Sequence, residues 1–179
     1  MDQENEPSKD KYLKSLYEDA ENRTGETVAN VFKAQSLTPE ILREHMRFYE
    51  TTMFGKGELP IAFREMIGVV VSKANECPYC VSHHTRALLK VTTDKKRLAQ
   101  IGEDFRRVEL SKAEEAICLY AEKLTKSSFK MTEKDIDSLR VAGLNDQAIV
   151  EVNQVAAYYN YVNRIVDGLG VELEATMHE

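Results

Sequence analysis

Apolar residues recur along most of this chain at intervals of three and four positions, which is the spacing that places them on one face of an α-helix. No segment shows the strict alternation of apolar and polar residues that is typical of a half-buried strand. Residues that favour helix starts stand before several of the periodic stretches. These starts are Thr38-Pro39, Pro60, Cys77-Pro78, Ser111, Thr132 and Asn145. The pattern predicts a compact all-α bundle of about eight to nine helices.

The predicted helix boundaries follow from these starts and from the glycines that end the periodic stretches. The helices are expected over about 9–22, a short stretch after Gly25, 38–54, 60–74, 77–90, 93–102, 111–126, 132–143 and 145–166, with a connector at 103–109. Residues 1–8 are predicted to form a flexible N-terminal tail and residues 173–179 a C-terminal tail. Residues 9–172 are then a single helical domain.

Composition and charge narrow the class of protein. A chain of 179 residues fits one domain with a substantial core. The net charge of −6 and the absence of a basic cluster argue against nucleic-acid binding. No apolar run approaches the roughly 20 residues of a membrane span, and no signal peptide is apparent. Three cysteines do not form a secreted disulfide framework, so we expect a cytoplasmic protein with no membrane association.

The segment with the clearest chemistry surrounds two cysteines. Pro78 is favoured at the first position of a helix, which makes Cys77 the N-cap. Residues three apart on a helix are neighbours, so Cys77 and Cys80 come near the roughly 5.5–6 Å between Cα atoms that a disulfide needs. The positive end of the helix is expected to favour the thiolate of Cys80. His84 shares its face and can exchange a proton with Cys80.

A carboxylate on the preceding predicted helix belongs to the same site. The face that carries Glu65 otherwise contains apolar or small residues, among them Gly68 and Ser72. We therefore expect Glu65 to be partly buried and Gly68 to allow another helix to approach closely. If the two helices meet, Glu65 faces His84 and Cys80 and can relay protons.

A metal site is the main alternative for a pair of cysteines at this spacing. Structural zinc normally requires a second Cys or Cys/His pair, whereas the remaining thiol, Cys118, lies inside an apolar helical run and is interpreted as a core residue. We expect no metal and no cofactor. A metal ion held by Cys77, Cys80, His84 and Glu65 stays open as an alternative.

Several other polar and aromatic residues have two interpretations. His83 either assists the chemistry of Cys80 or only closes the pocket, and Tyr79 can donate a hydrogen bond but cannot act as a base near neutral pH. A cluster on the last helix either forms a pocket wall, with Arg164 steering an anionic group, or packs in the core. Packing is favoured, because aromatic residues at helical spacing are usually core. The residues concerned are Tyr158, Tyr159, Tyr161, Asn163 and Arg164, and on the third helix His45 and Met46.

The order Glu65, eleven residues, Cys77, two residues, Cys80, three residues, His84 resembles the core motif of the AhpD-like alkylhydroperoxidases. These belong to the carboxymuconolactone decarboxylase superfamily. The stretch 111–172 resembles the subgroup of peroxidase-related enzymes. The resemblance implies the AhpD-like all-α fold over most of the chain.

The resemblance also implies a function. It predicts a thiol-dependent peroxidase that reduces alkyl hydroperoxides or hydrogen peroxide, with Glu65 and His84 taking the proton from Cys80. Cys80 becomes a sulfenic acid, Cys77 condenses with it to a disulfide, and an external dithiol or protein reductant restores both thiols. Relatives are homo-oligomers, so a dimer, trimer or hexamer is expected. Tyr79 stands where some relatives carry His, and it is interpreted with His83 as a supporting residue.

Two other functions remain open at this point. One is a carboxymuconolactone-type decarboxylase, although cysteine-poor sites are typical of those enzymes. The other is a non-enzymatic redox sensor or dithiol module, which shares the thiol chemistry but not the turnover.

Overall fold

A computed structural model describes residues 11–95 and 100–175. Within these ranges the chain forms nine α-helices and two 3-10 turns and no strand, so the predicted all-α class is confirmed. The helices are α1 (Lys11–Thr24), α2 (Asn30–Lys33), α3 (Pro39–Phe54), α4 (Ile61–Ala74), α5 (Pro78–Lys90), α6 (Ile101–Asp104), α7 (Lys112–Ser127), α8 (Glu133–Val141) and α9 (Asp146–Leu169). The 3-10 turns are Phe105–Arg107 and Ser128–Lys130.

Side chains that accept backbone hydrogen bonds start the C-terminal helices at the predicted residues. Ser111 accepts from the N–H of Glu114, and the Glu114 carboxylate accepts from the N–H of Ser111. At α8 the Asp135 carboxylate accepts from the N–H and from the hydroxyl of Thr132, and the Asn145 side chain caps α9. These bonds satisfy N–H groups that a helix start leaves free, which confirms all three predicted starts.

Two predicted helix ends were wrong. Gly102 lies inside α6 and does not end a helix. It packs closely against α5, where a Cβ at this position would lie 3.1 Å from Oγ1 of Thr85. The last helix continues to Leu169, since its backbone bonds persist until Gly170 adopts the left-handed conformation. Residues 96–99 of the predicted helix at 93–102, and the predicted tails at 1–8 and 176–179, lie outside the described residues.

Helix α4 occupies the centre of the bundle. It contacts α5, α6, α7 and α9, and every residue from Arg64 to Ser72 is buried. A helix that is apolar around most of its circumference is typical of such a position. A smaller cluster of Leu13, Tyr17, Val28, Leu42 and Met46 packs α1 against α3. Among the described helices, none has the length and apolar character that crossing a membrane requires.

Gly68 sets the distance between α4 and its neighbours α5 and α9. A Cβ at this position would lie 2.9 Å from Cγ of His84 and 2.9 Å from Cε2 of Tyr159. Real Cβ atoms do not approach other atoms so closely, so any other residue would push the rings away. The close approach predicted for Gly68 is confirmed.

The chain reverses direction after α9. Gly170 has φ 62°, and the N–H of Val171 bonds the carbonyl of Val166 at 3.0 Å, which is the Schellman arrangement. Val171 is buried and Leu173 packs against the core. The segment 171–175 therefore runs back toward α2 and α5 and places Glu174 beside them.

Candidate functional site

The two cysteines occupy the predicted start of α5. Cys77 is the N-cap and Pro78 the first helical residue, as expected. Both thiols are free, and Cys77 and Cys80 are 0% and 1% exposed. Hydrogen bonding between the two thiols shifts the pKa of each, so the two sulfur atoms are neighbours.

This hydrogen bond separates the acidities of the two thiols. The pKa of Cys77 is lowered, chiefly because Cys80 donates to its sulfur. The pKa of Cys80 is raised, because Cys80 is the donor in this bond and is buried. The expectation that the helix favours the thiolate at Cys80 is therefore wrong for the reduced pair. Cys80 requires a base before it can ionise.

A carboxylate and an imidazole lie together next to the thiols, one from each neighbouring helix. Nδ1 of His84 is 2.9 Å from Oε2 of Glu65. Glu65 is 3% exposed, so the expected burial of this carboxylate and its position facing His84 are observed. A carboxylate accepts only, so Nδ1 carries the hydrogen of this bond, and in the neutral ring the lone pair is then on Nε2. The His84 ring packs edge-on against Tyr159, with centroids 4.2 Å apart.

A cavity of about 380 Å³ opens on the Cys80 side of α5. We call it the aromatic cavity. Cys80, His83 and His84 line it, together with the rings of Phe32, Tyr49, Tyr79, Tyr158 and Tyr159. Glu26, Arg86 and Glu174 are the charged residues of its lining. A thiol and three imidazoles, those of His45, His83 and His84, thus share one largely apolar space.

A second cavity of about 770 Å³ contains Cys77. We call it the polar cavity. Pro78, Val81 and Ser82 of α5 line it, and no residue lines both cavities. Its charged residues are Lys73, Glu76, Glu103, Asp104, Arg106, Glu122 and Lys126. The two thiols therefore open into different cavities.

The sequence analysis missed Glu174. Its Oε1 accepts from the N–H of Asn30 at 2.7 Å and from the hydroxyl of Tyr79 at 3.0 Å. Its Oε2 lies 2.8 Å from Nε2 of His83. Glu174 falls in the expected C-terminal tail, and neither periodicity nor motif spacing connects it with α5. His83 and Tyr79, interpreted as supporting residues, are thus joined through a third group.

His45 forms a buried polar cluster in the aromatic cavity. Its Nδ1 is 3.1 Å from Oε1 of Gln35, and its Nε2 is 3.0 Å from the hydroxyl of Tyr158. Burial lowers the pKa of His45 to about 4, so the ring is neutral at pH 7. The packing interpretation of His45, Tyr158 and Tyr159 is correct but incomplete, because these buried residues also form cavity wall. Arg164 is exposed and lines neither cavity.

Helix α9 supplies two further polar residues beside the sulfur atoms. Asn163 is 0% exposed and donates to Oγ of Ser72 at 3.2 Å, and its amide counteracts the rise in the pKa of Cys80. The Asp167 carboxylate counteracts the lowering of the pKa of Cys77. The sequence analysis treated this stretch as a subgroup marker and gave these residues no role at the thiols.

No group of three or more His, Cys, Asp or Glu side chains among the described residues is arranged to hold a metal ion. The four residues considered for a metal site instead pair off, as a thiol–thiol contact and an imidazole–carboxylate contact.

Comparison with known proteins adds to this geometry. Residues 39–104 match the model of the carboxymuconolactone decarboxylase family, and this segment contains Glu65, Cys77, Cys80 and His84. A search of curated proteins found no match.

Solved structures share the fold over nearly the whole chain. An uncharacterized peroxidase-related protein from Silicibacter sp. TM1040 is 29% identical, with a TM-score of 0.85, over 92% of this chain and 86% of that one. The AhpD core of an uncharacterized peroxidase-related protein from Ralstonia eutropha JMP134 is 24% identical, with a TM-score of 0.83, over 91% and 85%. The debrominase Bmp8 is 19% identical, with a TM-score of 0.81, over 96% and 90%.

The fold and the site define an all-α protein with a buried pair of free thiols beside an imidazole–carboxylate pair. Residues 39–104 carry the pattern of the carboxymuconolactone decarboxylase family, and the chain shares its fold with structures described as peroxidase-related and AhpD-like.

Proposed function

We propose that the protein is a thiol-dependent peroxidase that reduces alkyl hydroperoxides or hydrogen peroxide. One observation carries the proposal. Cys80 and His84 line the same aromatic cavity, and Glu65 bonds the His84 ring from behind. A buried thiol with a raised pKa needs a neighbouring base to become a nucleophile, and an imidazole fixed by a carboxylate is such a base.

The oxidative half-reaction takes place in the aromatic cavity. His84 accepts the proton of Cys80, and the thiolate attacks one oxygen of the peroxide. The O–O bond breaks, its electron pair leaves with the alkoxide, and the proton held by His84 passes to that alkoxide. Cys80 is left as a sulfenic acid, and the peroxide is released as an alcohol or as water.

The second half-reaction involves the other thiol. The Cys77 sulfur attacks the sulfur of the Cys80 sulfenic acid. The hydroxyl of the sulfenic acid leaves as water together with the hydrogen of the Cys77 thiol, and a disulfide forms. The hydrogen bond between the two thiols supports this step, since the sulfur atoms need little movement. An external dithiol then attacks Cys77 from the polar cavity and is itself oxidised to a disulfide, which returns both thiols.

The decarboxylase alternative lacks support from the site, because the buried thiol pair would have no role in releasing carbon dioxide. Bmp8 is described as a debrominase, but at 19% identity its likeness extends to the fold alone. A redox sensor would use the same thiols without turnover. The homo-oligomer, the cytoplasmic location and the identity of the reductant stay predictions of the sequence.

The test follows peroxide consumption by the reduced protein, with tert-butyl hydroperoxide and hydrogen peroxide, in the presence and absence of a dithiol. We expect Cys80→Ser to abolish turnover. Cys118→Ala should retain it, because Cys118 is a buried core residue that lines neither cavity. Substantial turnover by Cys80→Ser would contradict the proposal, and one stoichiometric oxidation of the parent protein without recycling would favour the sensor.

A further inference from the structure

Glu174 joins the C-terminal segment to the helix that carries the thiols. Its two carboxylate oxygens hold the Tyr79 hydroxyl at 3.0 Å and Nε2 of His83 at 2.8 Å. The Glu174 side chain is only 15% exposed. The rings of Tyr79 and His83 also lie against each other, with centroids 4.4 Å apart. One carboxylate thus fixes two neighbouring side chains of the turn that contains Cys80.

The contact determines which nitrogen of His83 carries the hydrogen. A carboxylate only accepts hydrogen bonds, so Nε2 of His83 is the donor and Nδ1 keeps its lone pair. His84 has the opposite arrangement, because its Nδ1 is bound to Glu65. His83 and His84 follow Cys80 by three and four positions, which places all three on one face of α5. All three line the aromatic cavity, so it contains two imidazoles with opposite tautomers.

The charged groups near His83 support a neutral ring beside a carboxylate. Burial lowers the pKa of His83, and the charge of Glu174 opposes that shift. Burial works against ionisation of Glu174, but hydrogen bonds from Asn30 and His83 outweigh it and lower its pKa. The other titratable or charged groups acting on His83 are His84 and Arg86 of α5, and it also interacts with Glu26 in the cavity lining.

We propose that Glu174 is a positioning residue that makes His83 the hydrogen-bond acceptor for the O–H of a bound hydroperoxide. The proposal rests on the peroxidase function given above. Nδ1 of His83 accepts the O–H, and the thiolate of Cys80 attacks the oxygen that carries it. The O–O bond breaks, the electron pair leaves on the alkoxide, and His84 protonates that alkoxide. The hydrogen held by His83 stays on the transferred oxygen, so the sulfenic acid forms with all atoms accounted for.

The test replaces Glu174 with Gln in the full chain. The amide oxygen replaces Oε1 as acceptor for the Asn30 N–H, so the amide NH₂ faces Nε2 of His83 and the ring hydrogen moves to Nδ1. We expect the ¹⁵N chemical shifts of His83 to report this exchange of tautomer. We also expect its measured pKa to fall, since a negative partner is lost. For tert-butyl hydroperoxide, kcat/KM should fall about tenfold, the scale of one hydrogen bond, mainly through a higher KM.

Glu172→Gln is the matched control. It makes the same chemical change two residues earlier, at an exposed side chain outside both cavity linings. The proposal would be overturned if Glu174→Gln and Glu172→Gln had the same His83 tautomer and the same kinetic constants. The tautomer is measured without peroxide, so it tests the action of Glu174 on His83 even if the protein does not consume peroxide. Failure of the parent protein to consume peroxide would overturn the peroxidase function instead.

A second pair of variants keeps the test independent of how Glu174→Gln folds. The amide of His83→Asn lies near the former Nδ1 and retains an acceptor there. The longer side chain of His83→Gln places its amide near the former Nε2. We expect His83→Gln to lose about tenfold in kcat/KM and His83→Asn to lose less, whereas equal losses would count against the proposal.

Discussion

The two cavities on either side of α5 differ in almost every property except that each contains one sulfur atom of the pair. Among the residues that the structure describes, the aromatic cavity is lined by five aromatic rings and three imidazoles, and the imidazoles of His83 and His84 are each held by a carboxylate. In the same part of the chain, the polar cavity has no imidazole and no tyrosine, and its lining carries seven charged residues. A single turn of helix thus presents neighbouring thiols to two different environments.

The difference matches the requirements of the two half-reactions of the proposed peroxidase. Attack on a peroxide by a buried thiol needs a base and a space that receives an organic group, which the aromatic cavity supplies around Cys80. Opening a disulfide needs access for an external thiolate at Cys77. The polar cavity borders Cys77, which is itself 0% exposed, and its mixed charges include the Arg106–Glu122 ion pair at its wall. The comparison therefore predicts that the two half-reactions can be impaired separately.

The largest effect is expected from removing the charge of Glu65. Glu65→Gln should slow oxidation of the thiols by peroxide about 10²-fold, at the lower end of what a general base contributes. Reduction of a preformed disulfide by a dithiol should be unaffected, because Glu65 lies outside the polar cavity. Stopped-flow measurement of each half-reaction separates the two. Glu115→Gln, at an exposed position of α7, is the control, and equal rates for both variants would remove Glu65 from the relay.

An intermediate effect is expected from filling the polar cavity. Ser82→Phe places a ring in the lining near Cys77 and should slow reduction by the dithiol about tenfold, or about 1.4 kcal/mol in activation free energy, because the ring obstructs the approach to Cys77. Peroxide-driven oxidation should keep its rate. Val91→Phe, at the exposed C-cap of α5, serves as the control. A slower oxidation step with unchanged reduction would reverse the assignment of the two cavities.

The smallest expected effect concerns the contact that brings α4, α5 and α9 together. Gly68→Ala should destabilise the fold by about 1–3 kcal/mol, because its Cβ would overlap the rings of His84 and Tyr159. Gly168→Ala should stabilise it by about 0.5–1 kcal/mol, since a helical glycine with no atom near its Cβ position gains from the substitution. Urea unfolding measures both values. Equal stability of the two variants would show that the helices can separate at no cost.

The sequence predicted those parts of the site that depend on local spacing. The cap residues Ser111, Thr132 and Asn145 located helix starts because their hydrogen bonds reach only three positions. The pairing of Glu65 with His84 followed from two adjacent helices and a glycine between them. The acidity of Cys80 was mispredicted, because the helix dipole was considered without the neighbouring sulfur, and donation to Cys77 opposes ionisation.

The remaining site residues come from distant parts of the chain. Glu174 is 91 positions from His83, and His45 is 113 positions from Tyr158. Contacts at such separations depend on how whole helices are arranged, and no repeat or cap in the sequence records them. The turn at Gly170 signals that α9 ends, but it does not show where the following residues go.

That turn has a practical consequence for handling the protein. Because the chain folds back after Gly170, Glu174 reaches the site from a segment only a few residues short of the C-terminus. Cutting the chain after Gly170 would therefore remove a wall residue of the aromatic cavity without interrupting any of the nine described helices.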